Sequence, residues 1–132
     1  MLLYKKFDIR NHIDERGSLS VVEHGKEVDF LAARVYWLTA NGGFSRGAHA
    51  HMSGKQALIC VQGEVKIRLN NGYKEETILL EKNKDGLLIS GCVWREMTDF
   101  SEDAILLVLN DKAYDSDRVI RNWEQYLEHI NE

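Results

Sequence analysis

The stretch ALICVQGEVKIRLNNG, from Ala57 to Gly72, decides the fold. It opens with the apolar run 57–61, which is typical of a fully buried strand. From position 64 to 70, polar and apolar residues alternate, and this period of two predicts a strand with one buried face. Asn71-Gly72 follows, a dipeptide that favours the type I′ turn of a hairpin, and residues 73–81 return as the partner strand. The stretch therefore predicts an antiparallel sheet.

The same strand character recurs along the chain. Six further short strands are predicted: Leu2–Phe7, Ser18–Glu23, Ala33–Thr39, Leu87–Ile89, Val93–Thr98 and Ala104–Leu109. Residues 10–17 are polar and are predicted to form a loop. The chain has no proline, so glycine, asparagine and aspartate must form its turns. About nine short strands separated by tight turns predict an all-β sandwich or barrel.

The end of the chain changes period. Its apolar residues are spaced as on one face of a helix, at Trp123, Tyr126, Leu127 and Ile130. Asn122 can cap this helix, and Gln125 stands where a capping box has Glu or Gln. We therefore expect a short C-terminal helix packed on the β-barrel.

Composition excludes several classes of protein. The 132 residues suit one domain, and 44% hydrophobic and 29% charged residues exclude disorder as the main state. The net charge of −4, without a basic tract, argues against a nucleic-acid partner. The longest apolar run, 104–109, is far shorter than the roughly 18 residues of a membrane helix, and no signal peptide is visible. Cys60 and Cys92 predict two buried free thiols, and hence the cytoplasm.

The polar segment 43–56 lies between two strong strands and carries the chemistry. On an extended backbone, His49 and His51 point to the same side, about 6–7 Å apart. Two surface histidines on an edge strand are the alternative interpretation. Arg46 adds a cation nearby, and burying so many polar groups costs too much for core filling. We therefore predict a shared cavity in which both imidazoles titrate near neutral pH.

The segment also resembles a known family. Its Gly-x5-His-x-His pattern at 43–51, followed by a strand that ends at Gly63, resembles the first motif of the cupins. The glutamate that follows in cupins is replaced by Lys55 and Gln56, and Arg95 lies near the place of the later metal-binding histidine. The resemblance implies a single domain, 1–132, with a cupin jelly-roll (double-stranded β-helix) barrel. Two histidines beside cations predict that the metal has been lost and that no cofactor is needed.

A closer resemblance covers the chain from about residue 5 to the C-terminus. It is to the sugar 3,4-ketoisomerases, which act on dTDP-4-keto-6-deoxy-D-glucose in the branch that makes 3-amino-3,6-dideoxyhexoses. It is carried by seven short segments: Asp14–Leu19, Arg46–His51, Gln56, Val93–Met97, Phe100-Ser101, Tyr114-Asp115 and Ile120-Arg121. Two departures stand out. Ser45 replaces a proline, and Arg95 replaces the histidine of some members, which bears on the C4 epimer formed.

The resemblance implies roles for particular residues. The ketone moves from C4 to C3 through an enediol, and His49 and His51 would carry the protons, with the C3 base left open. Tyr36 would orient a sugar oxygen or assist the proton relay. The implied catalytic set is thus His49, His51 and Tyr36, and the implied substrate-binding set is Arg16, Arg46, Gln56 and Arg95. The arginines would hold the diphosphate or the enediolate, and Gln56 the sugar or the thymine.

Two other functions stay open at this point. A metal-dependent cupin enzyme would need a third ligand, and His12, His24 and His129 lie in the wrong segments. A non-catalytic cupin would bind the nucleotide sugar without exchanging its C3 proton.

The family likeness adds three expectations about context. The partners are a dTDP-linked 4-keto-6-deoxy sugar and a second copy of the chain. In the homodimer, Leu2–Phe7 is a candidate for an exchanged strand. The product sugar would enter surface polysaccharides or glycans, such as an O-antigen. Neither the gluco or galacto configuration at C4 nor the nucleotide itself follows from the sequence alone. Trp37 and Trp94 are interpreted as core residues rather than stacking platforms.

Overall fold

The structure is a computed structural model that describes residues 3–132, and in that range the chain forms twelve strands and one α-helix. One sheet contains β1 (Lys5–Asp8), β9 (Asp85–Ser90), β6 (Lys55–Gln62), β11 (Ile105–Asn110) and β4 (Arg34–Leu38), in that order. The second contains β12 (Val119–Ile120), β5 (Arg46–His51), β10 (Trp94–Thr98), β7 (Glu64–Asn70) and β8 (Glu75–Glu81). A separate hairpin, β2 (Arg10–Asp14) and β3 (Gly17–Val21), is called the hairpin arm below.

The two five-stranded sheets enclose an apolar core, so the predicted all-β cupin barrel is confirmed. The alternation along β7 is as predicted, because Val65, Ile67 and Leu69 have no exposed surface. Lys66 and Arg68 lie on the outer face and pair with surface carboxylates. Alternation therefore divides β7 between core and solvent, whereas β6 is buried along most of its length.

Strand register gives the interior two ends. On β11, Leu106 lies opposite Cys60 of β6, and four residues further on Asn110 lies opposite Gln56. Asn110 also lies opposite Arg34 of the edge strand β4. Because inward residues alternate, the same faces that carry aliphatic side chains at one end carry polar ones at the other. The candidate functional site lies at this polar end.

Three segments differ from the sequence-based expectation. Residues 10–17 were predicted as a loop, but Arg10–Asp14 is β2, and it turns directly into β3. The polar segment around the two histidines is itself strand β5, and the two-residue β12 was also missed. These strands lack a run of large apolar residues, so hydrophobic periodicity could not reveal them.

The turn at Asn71-Gly72 was also predicted wrongly in detail. Gly72 has φ +91°, but Asn71 is not among the residues with positive φ, as a type I′ turn requires. Instead, the Asn71 side-chain oxygen accepts hydrogen bonds from the amides of Tyr73 and Lys74. The longer loop that results delays the start of β8 to Glu75.

The C-terminal helix α1 (Trp123–Ile130) packs on the outside of the second sheet, as predicted. Asn122 caps it by accepting a hydrogen bond from the Gln125 amide, at 3.0 Å. Tyr126 is fully buried, and its ring lies 5.7 Å from that of Trp94. The eight-residue α1, the single α-helix of the described range, is too short to cross a bilayer.

Two side chains are less buried than expected. Trp94 is a core residue, but Trp37 lies on the outer face of the edge strand β4 and is 65% exposed. Cys60 is buried, whereas Cys92 is half-buried, and both thiols are free. A strand-forming sequence does not reveal which face of an edge strand is covered.

Candidate active site

Strand β5 places both histidines on the inner face of the barrel. The ring centroids of His49 and His51 lie 5.1 Å apart, with an angle of 81° between the ring planes. Ala50 points the other way and is fully buried beneath Tyr126 of the helix. The prediction that the two imidazoles share one side of the strand is therefore confirmed.

An irregularity in β5 precedes the histidines. Gly47 and Ala48 have positive φ, +88° and +61°, and the register against β10 shifts between Arg95 and Glu96. A side chain at Gly47 would meet the sulfur of Met97 at 2.7 Å and the carbonyl oxygen of Arg95 at 3.1 Å. Glycine thus allows β5 and β10 to approach closely where the bulge redirects the chain.

Two adjoining cavities meet at the histidines. An inner cavity of about 220 Å³ lies in the barrel, and an outer cavity of about 700 Å³ opens from it. Both are lined by Tyr36, His49, His51 and Arg121. The inner cavity adds Arg46 and Arg95, among others, and the outer cavity adds Arg34, Tyr114, Asp115, Asp117 and Val119. The site therefore has room for a ligand of two parts.

Arg95 brings a positive charge into the wall of the inner cavity. It is 1% exposed, and it donates hydrogen bonds to the side-chain oxygen of Gln56, at 2.9 Å, and to the carbonyl of Val93, at 3.1 Å. Burial lowers the pKa of Arg95 to about 10, so the guanidinium stays charged at neutral pH. Its hydrogen-bond acceptors are neutral, which leaves the charge available to an anion in the cavity.

Burial and the Arg95 charge both act on the histidines. They lower the pKa of His49 to about 4, burial being the larger cause, and they also lower the pKa of His51. Both imidazoles are therefore neutral at pH 7 and able to accept a proton. The prediction that they titrate near neutral pH is wrong for His49, because burial and the Arg95 charge lower its pKa. Within residues 3–132, Nδ1 of His49 is buried without a hydrogen-bond partner.

The structure adds a residue that sequence reasoning missed. The carboxylate of Asp117 lies 2.9 Å from Nδ1 of His51 and also accepts hydrogen bonds from Arg34 and Asn110. Asp117 lies in a polar loop 66 residues after His51, and no motif spacing links the two. The resemblance named the neighbouring Tyr114-Asp115 and Ile120-Arg121 but not this position.

The predicted site residues are brought together in part. Tyr36 and Arg46 line the inner cavity, and Arg34 stacks on the Tyr36 ring, 5.1 Å from its centroid. Gln56 is fully buried and accepts a hydrogen bond from Arg95. It therefore supports the wall of the inner cavity from behind and does not face the cavity, as a substrate-binding residue would. Arg16 lies at the exposed tip of the hairpin arm, paired with Asp14, and is not in the wall of either cavity.

Among residues 3–132, no three or more His, Cys, Asp and Glu side chains are grouped so that they could hold a metal ion. His51 lies beside Asp117, and the charge of Arg95 acts on both histidines. A metal-free reaction stays a prediction, which a metal analysis of the purified protein can test.

The barrel, the His-x-His pair and the buried arginine define an enzyme of the cupin type. Comparison with known proteins then identifies the family: residues 4–131 match the model described as WxcM-like, C-terminal (FdtA). The chain belongs to this family of sugar 3,4-ketoisomerases, as the sequence resemblance indicated. It is therefore an isomerase.

Individual relatives agree with this assignment. The chain is 35% identical to a TDP-4-oxo-6-deoxy-alpha-D-glucose-3,4-oxoisomerase of Aneurinibacillus thermoaerophilus, over 96% of this chain and 91% of that one. It is 42% identical to the TDP-quinovose 3,4-ketoisomerase WlaRB of Campylobacter jejuni, with a TM-score of 0.87 and coverage of 95% and 97%. A mutant of QdtA from Thermoanaerobacterium thermosaccharolyticum, crystallised with TDP-4-keto-6-deoxyglucose, is 34% identical, with a TM-score of 0.91 and coverage of 99% and 96%.

Proposed function

We propose that this enzyme converts dTDP-4-keto-6-deoxy-D-glucose to a dTDP-3-keto-6-deoxyhexose by proton transfer between its histidines and the sugar. The observation that carries the proposal is the pair His49 and His51, neutral at pH 7 and 5.1 Å apart, beside the buried Arg95 cation. The relatives named as isomerases of this substrate support the choice of ligand.

The proposed reaction needs a base, an acid and a stabilised anion. The C3–H bond is acidic because it is α to the C4 ketone, and a neutral imidazole removes its proton. The electrons of that bond form a C3–C4 double bond, and O4 takes up the negative charge of an enediolate. A proton moves to O4, O3 loses its own proton, and C4 is protonated, which leaves the ketone at C3. Positioned acid–base groups contribute about 10²- to 10⁴-fold to such steps.

The side chains around the histidines suit these steps. Arg95 lies where it can stabilise the enediolate oxygen, because a fixed cation in a buried site needs no reorganisation. The ring of His49 lines both cavities, so it can exchange protons with the sugar. Tyr36 lines both cavities and can relay the proton between O3 and O4.

The two cavities suit the two parts of a nucleotide sugar. We place the hexose in the inner cavity against the histidines and the diphosphate and nucleoside in the outer one. Arg121 lines both cavities, and Arg46 lines the inner one. The guanidinium of Arg121, which borders the outer cavity, can bind the diphosphate, because it matches phosphate oxygens in geometry and charge, whereas Arg46 lies beside the hexose.

The direct test is proton NMR of dTDP-4-keto-6-deoxyglucose with the enzyme in D₂O. We expect the C3 proton signal to disappear and a 3-keto product with deuterium at C4 to accumulate. In H₂O, the coupling between the protons on C4 and C5 then gives the gluco or galacto configuration. His49→Asn and His51→Asn should each lower kcat by about 10²-fold or more, because each removes a proton-transfer group. The exposed His24→Asn is the matched control, with unchanged kcat.

Two results would contradict the proposal. If the sugar binds but its spectrum does not change, the protein is a binding module. If activity follows a stoichiometric divalent metal and is lost on chelation, the protein is a metal-dependent cupin. Metal analysis of the same preparation separates the second result from the first.

We also propose a homodimer in which the hairpin arm reaches the second copy. Ile13 and Leu19 of the arm are 77% and 57% exposed, and Val35 and Trp37 expose the outer face of the edge strand β4. An isolated two-stranded hairpin is marginally stable in water, and a second copy would cover this apolar surface. Arg16, at the tip of the arm, would then contact substrate in the partner.

The predicted strand exchange concerns the start of the chain. Leu2 lies outside the described residues, and Lys5–Asp8 pairs with β9 of its own chain. Exchange between two copies would form the same pairs with the other chain, so the prediction remains open.

Sedimentation and complementation test the dimer. The wild type should sediment with a mass of twice 15.2 kDa. The Trp37→Lys variant should have a mass closer to that of the monomer, whereas the control Tyr73→Lys, at another exposed aromatic residue, should remain a dimer. Co-expression of Arg16→Ala with His49→Asn should restore activity, because one site of a mixed dimer then has both native residues. Co-expressed His49→Asn and His51→Asn should not restore it. A monomeric wild type, or no restoration, would contradict the shared site.

The remaining expectations concern context. We place the enzyme in the cytoplasm, where nucleotide sugars are made, and in a route to 3-amino-3,6-dideoxy sugars of surface glycans. Coupled assay with an aminotransferase specific for 3-keto sugars tests the route. A single cupin domain spanning 1–132 also remains a prediction, which limited proteolysis can test.

A further inference from the structure

The two histidines of the site differ in their surroundings. Nδ1 of His49 has no partner among residues 3–132, whereas Nδ1 of His51 lies 2.9 Å from both carboxylate oxygens of Asp117. The Asp117 side chain is 3% exposed, and it comes from the loop between the 3₁₀ turn Tyr114–Ser116 and β12. A carboxylate buried this deeply is costly unless several donors surround it.

Asp117 is surrounded by such donors. The Arg34 guanidinium donates to it at 2.7 Å, and the Asn110 amide donates at 3.1 Å. Although burial acts to raise the pKa of Asp117, the hydrogen bond from His51 and the charged bond from Arg34 hold that pKa below its usual value. Asp117 is therefore an ionised acceptor at neutral pH.

This arrangement determines which nitrogen of His51 carries the proton. An ionised carboxylate can only accept hydrogen bonds, so the imidazole must donate to it from Nδ1. In neutral His51, the lone pair then lies on Nε2. Because the ring lines both cavities, Nε2 is the nitrogen left to meet a ligand.

We propose that Asp117 is a positioning residue that fixes the tautomer and the orientation of His51. The role in catalysis rests on the proposed function, whereas the tautomer does not. Arg34 and Asn110 hold the carboxylate from the other side, so the ring cannot rotate without breaking a buried network. His49 has no such carboxylate partner at Nδ1 among the described residues.

The test compares the wild type with Asp117→Asn. In the variant, Arg34 and Asn110 still need the side-chain oxygen as an acceptor, so the new amide turns its N–H toward His51. His51 must then accept at Nδ1 and carry its proton on Nε2. Nitrogen-15 NMR of ring-labelled histidine distinguishes the two tautomers, and His51→Asn assigns the signals. We expect a protonated Nδ1 in the wild type, a protonated Nε2 in the variant, and kcat lower by about 10²-fold with little change in KM.

The controls separate this role from a structural one and from the proposed function. Asp99→Asn removes an exposed carboxylate and should leave both tautomer and kcat unchanged. A wild-type His51 protonated on Nε2 overturns the proposal even if the variant does not fold. A folded variant with unchanged kcat also overturns the catalytic role. If the wild type shows the expected tautomer but does not isomerise the sugar, the proposed function fails and the tautomer assignment stands.

Discussion

The two ends of the barrel interior are built from the same strands but differ in chemistry. On β11, Leu106 lies at one end among aliphatic neighbours, and Asn110 lies at the other beside Gln56 and Arg34. All these side chains except Arg34 are buried, so the difference is not one of solvent exposure.

The comparison shows how a barrel combines stability with function. The apolar end gains free energy from burial, at about 25 cal/mol per Å². The polar end gains less, because buried polar groups must replace the hydrogen bonds that they made with water. Substitutions at the two ends should therefore have different effects. Those at the apolar end should lower stability, and those at the polar end should lower activity.

The largest effect is expected at the apolar end. Leu106 is fully buried, and Leu106→Ala should lower the free energy of unfolding by about 2–5 kcal/mol, because it leaves a cavity. Urea unfolding measures this value. Leu79→Ala, at a residue 42% exposed on β8, should cost far less. Equal losses at the two positions would contradict the assignment of this end as the stabilising one.

Arg95→Met, at the polar end, should have the opposite effect, with a small change in stability and a large loss of activity. It removes the cost of burying a charge but leaves the Gln56 oxygen without its donor, so stability should change by less than about 2 kcal/mol. Activity should be lost. The pKa of His49 should rise from about 4 but stay below the ordinary value, since burial, its larger cause, remains.

Ring-proton NMR titration of His49 measures this change. Arg68→Met, which removes an exposed arginine from the outer face, is the control and should leave the titration unchanged. An unchanged pKa in Arg95→Met would show that the Arg95 charge does not act on the histidines.

The smallest effect is a dependence of stability on pH. Folded His49 takes up a proton only near pH 4, whereas the unfolded chain does so near pH 6.5. Between these values the unfolded chain binds more protons, so the free energy of unfolding should fall as the pH is lowered. From pH 6.5 to 5, where carboxylates are still ionised, we expect a loss of about 1 kcal/mol after allowance for partial exposure of the ring. His49→Asn should reduce this slope, and an unchanged slope would contradict the assignment.

Much of the fold could be predicted from the sequence, because strict alternation at 64–70 and the helical spacing after Asn122 report burial directly. The histidine pair could be predicted as well, since the two residues are neighbours on one strand. The hairpin arm and β5 could not, because their strands are polar or exposed. The prediction that Trp37 lies in the core was wrong for a related reason, because β-propensity does not distinguish the two faces of an edge strand.

Asp117 and Arg34 could not be predicted from spacing. Asp117 reaches His51 from a loop 66 positions further along the chain, and Arg34, on β4, reaches Asp117 across 83 positions. The arrangement of charges at the site is thus a tertiary property. Arg16 differs from these two residues. The family resemblance predicts that it binds substrate, but in its own chain it lies outside both cavities.

The strand order β1-β9-β6-β11-β4 also bears on how the chain reaches this structure. In that sheet, no two neighbouring strands are consecutive in sequence, so each pairing must close a long loop before it gains any contact. The β7–β8 hairpin, by contrast, can form locally within microseconds. We therefore expect refolding in milliseconds to seconds, typical of high contact order, with the hairpin formed early and the sheet that contains β1 completed last. With no proline in the chain, no slow phase from prolyl isomerisation should follow.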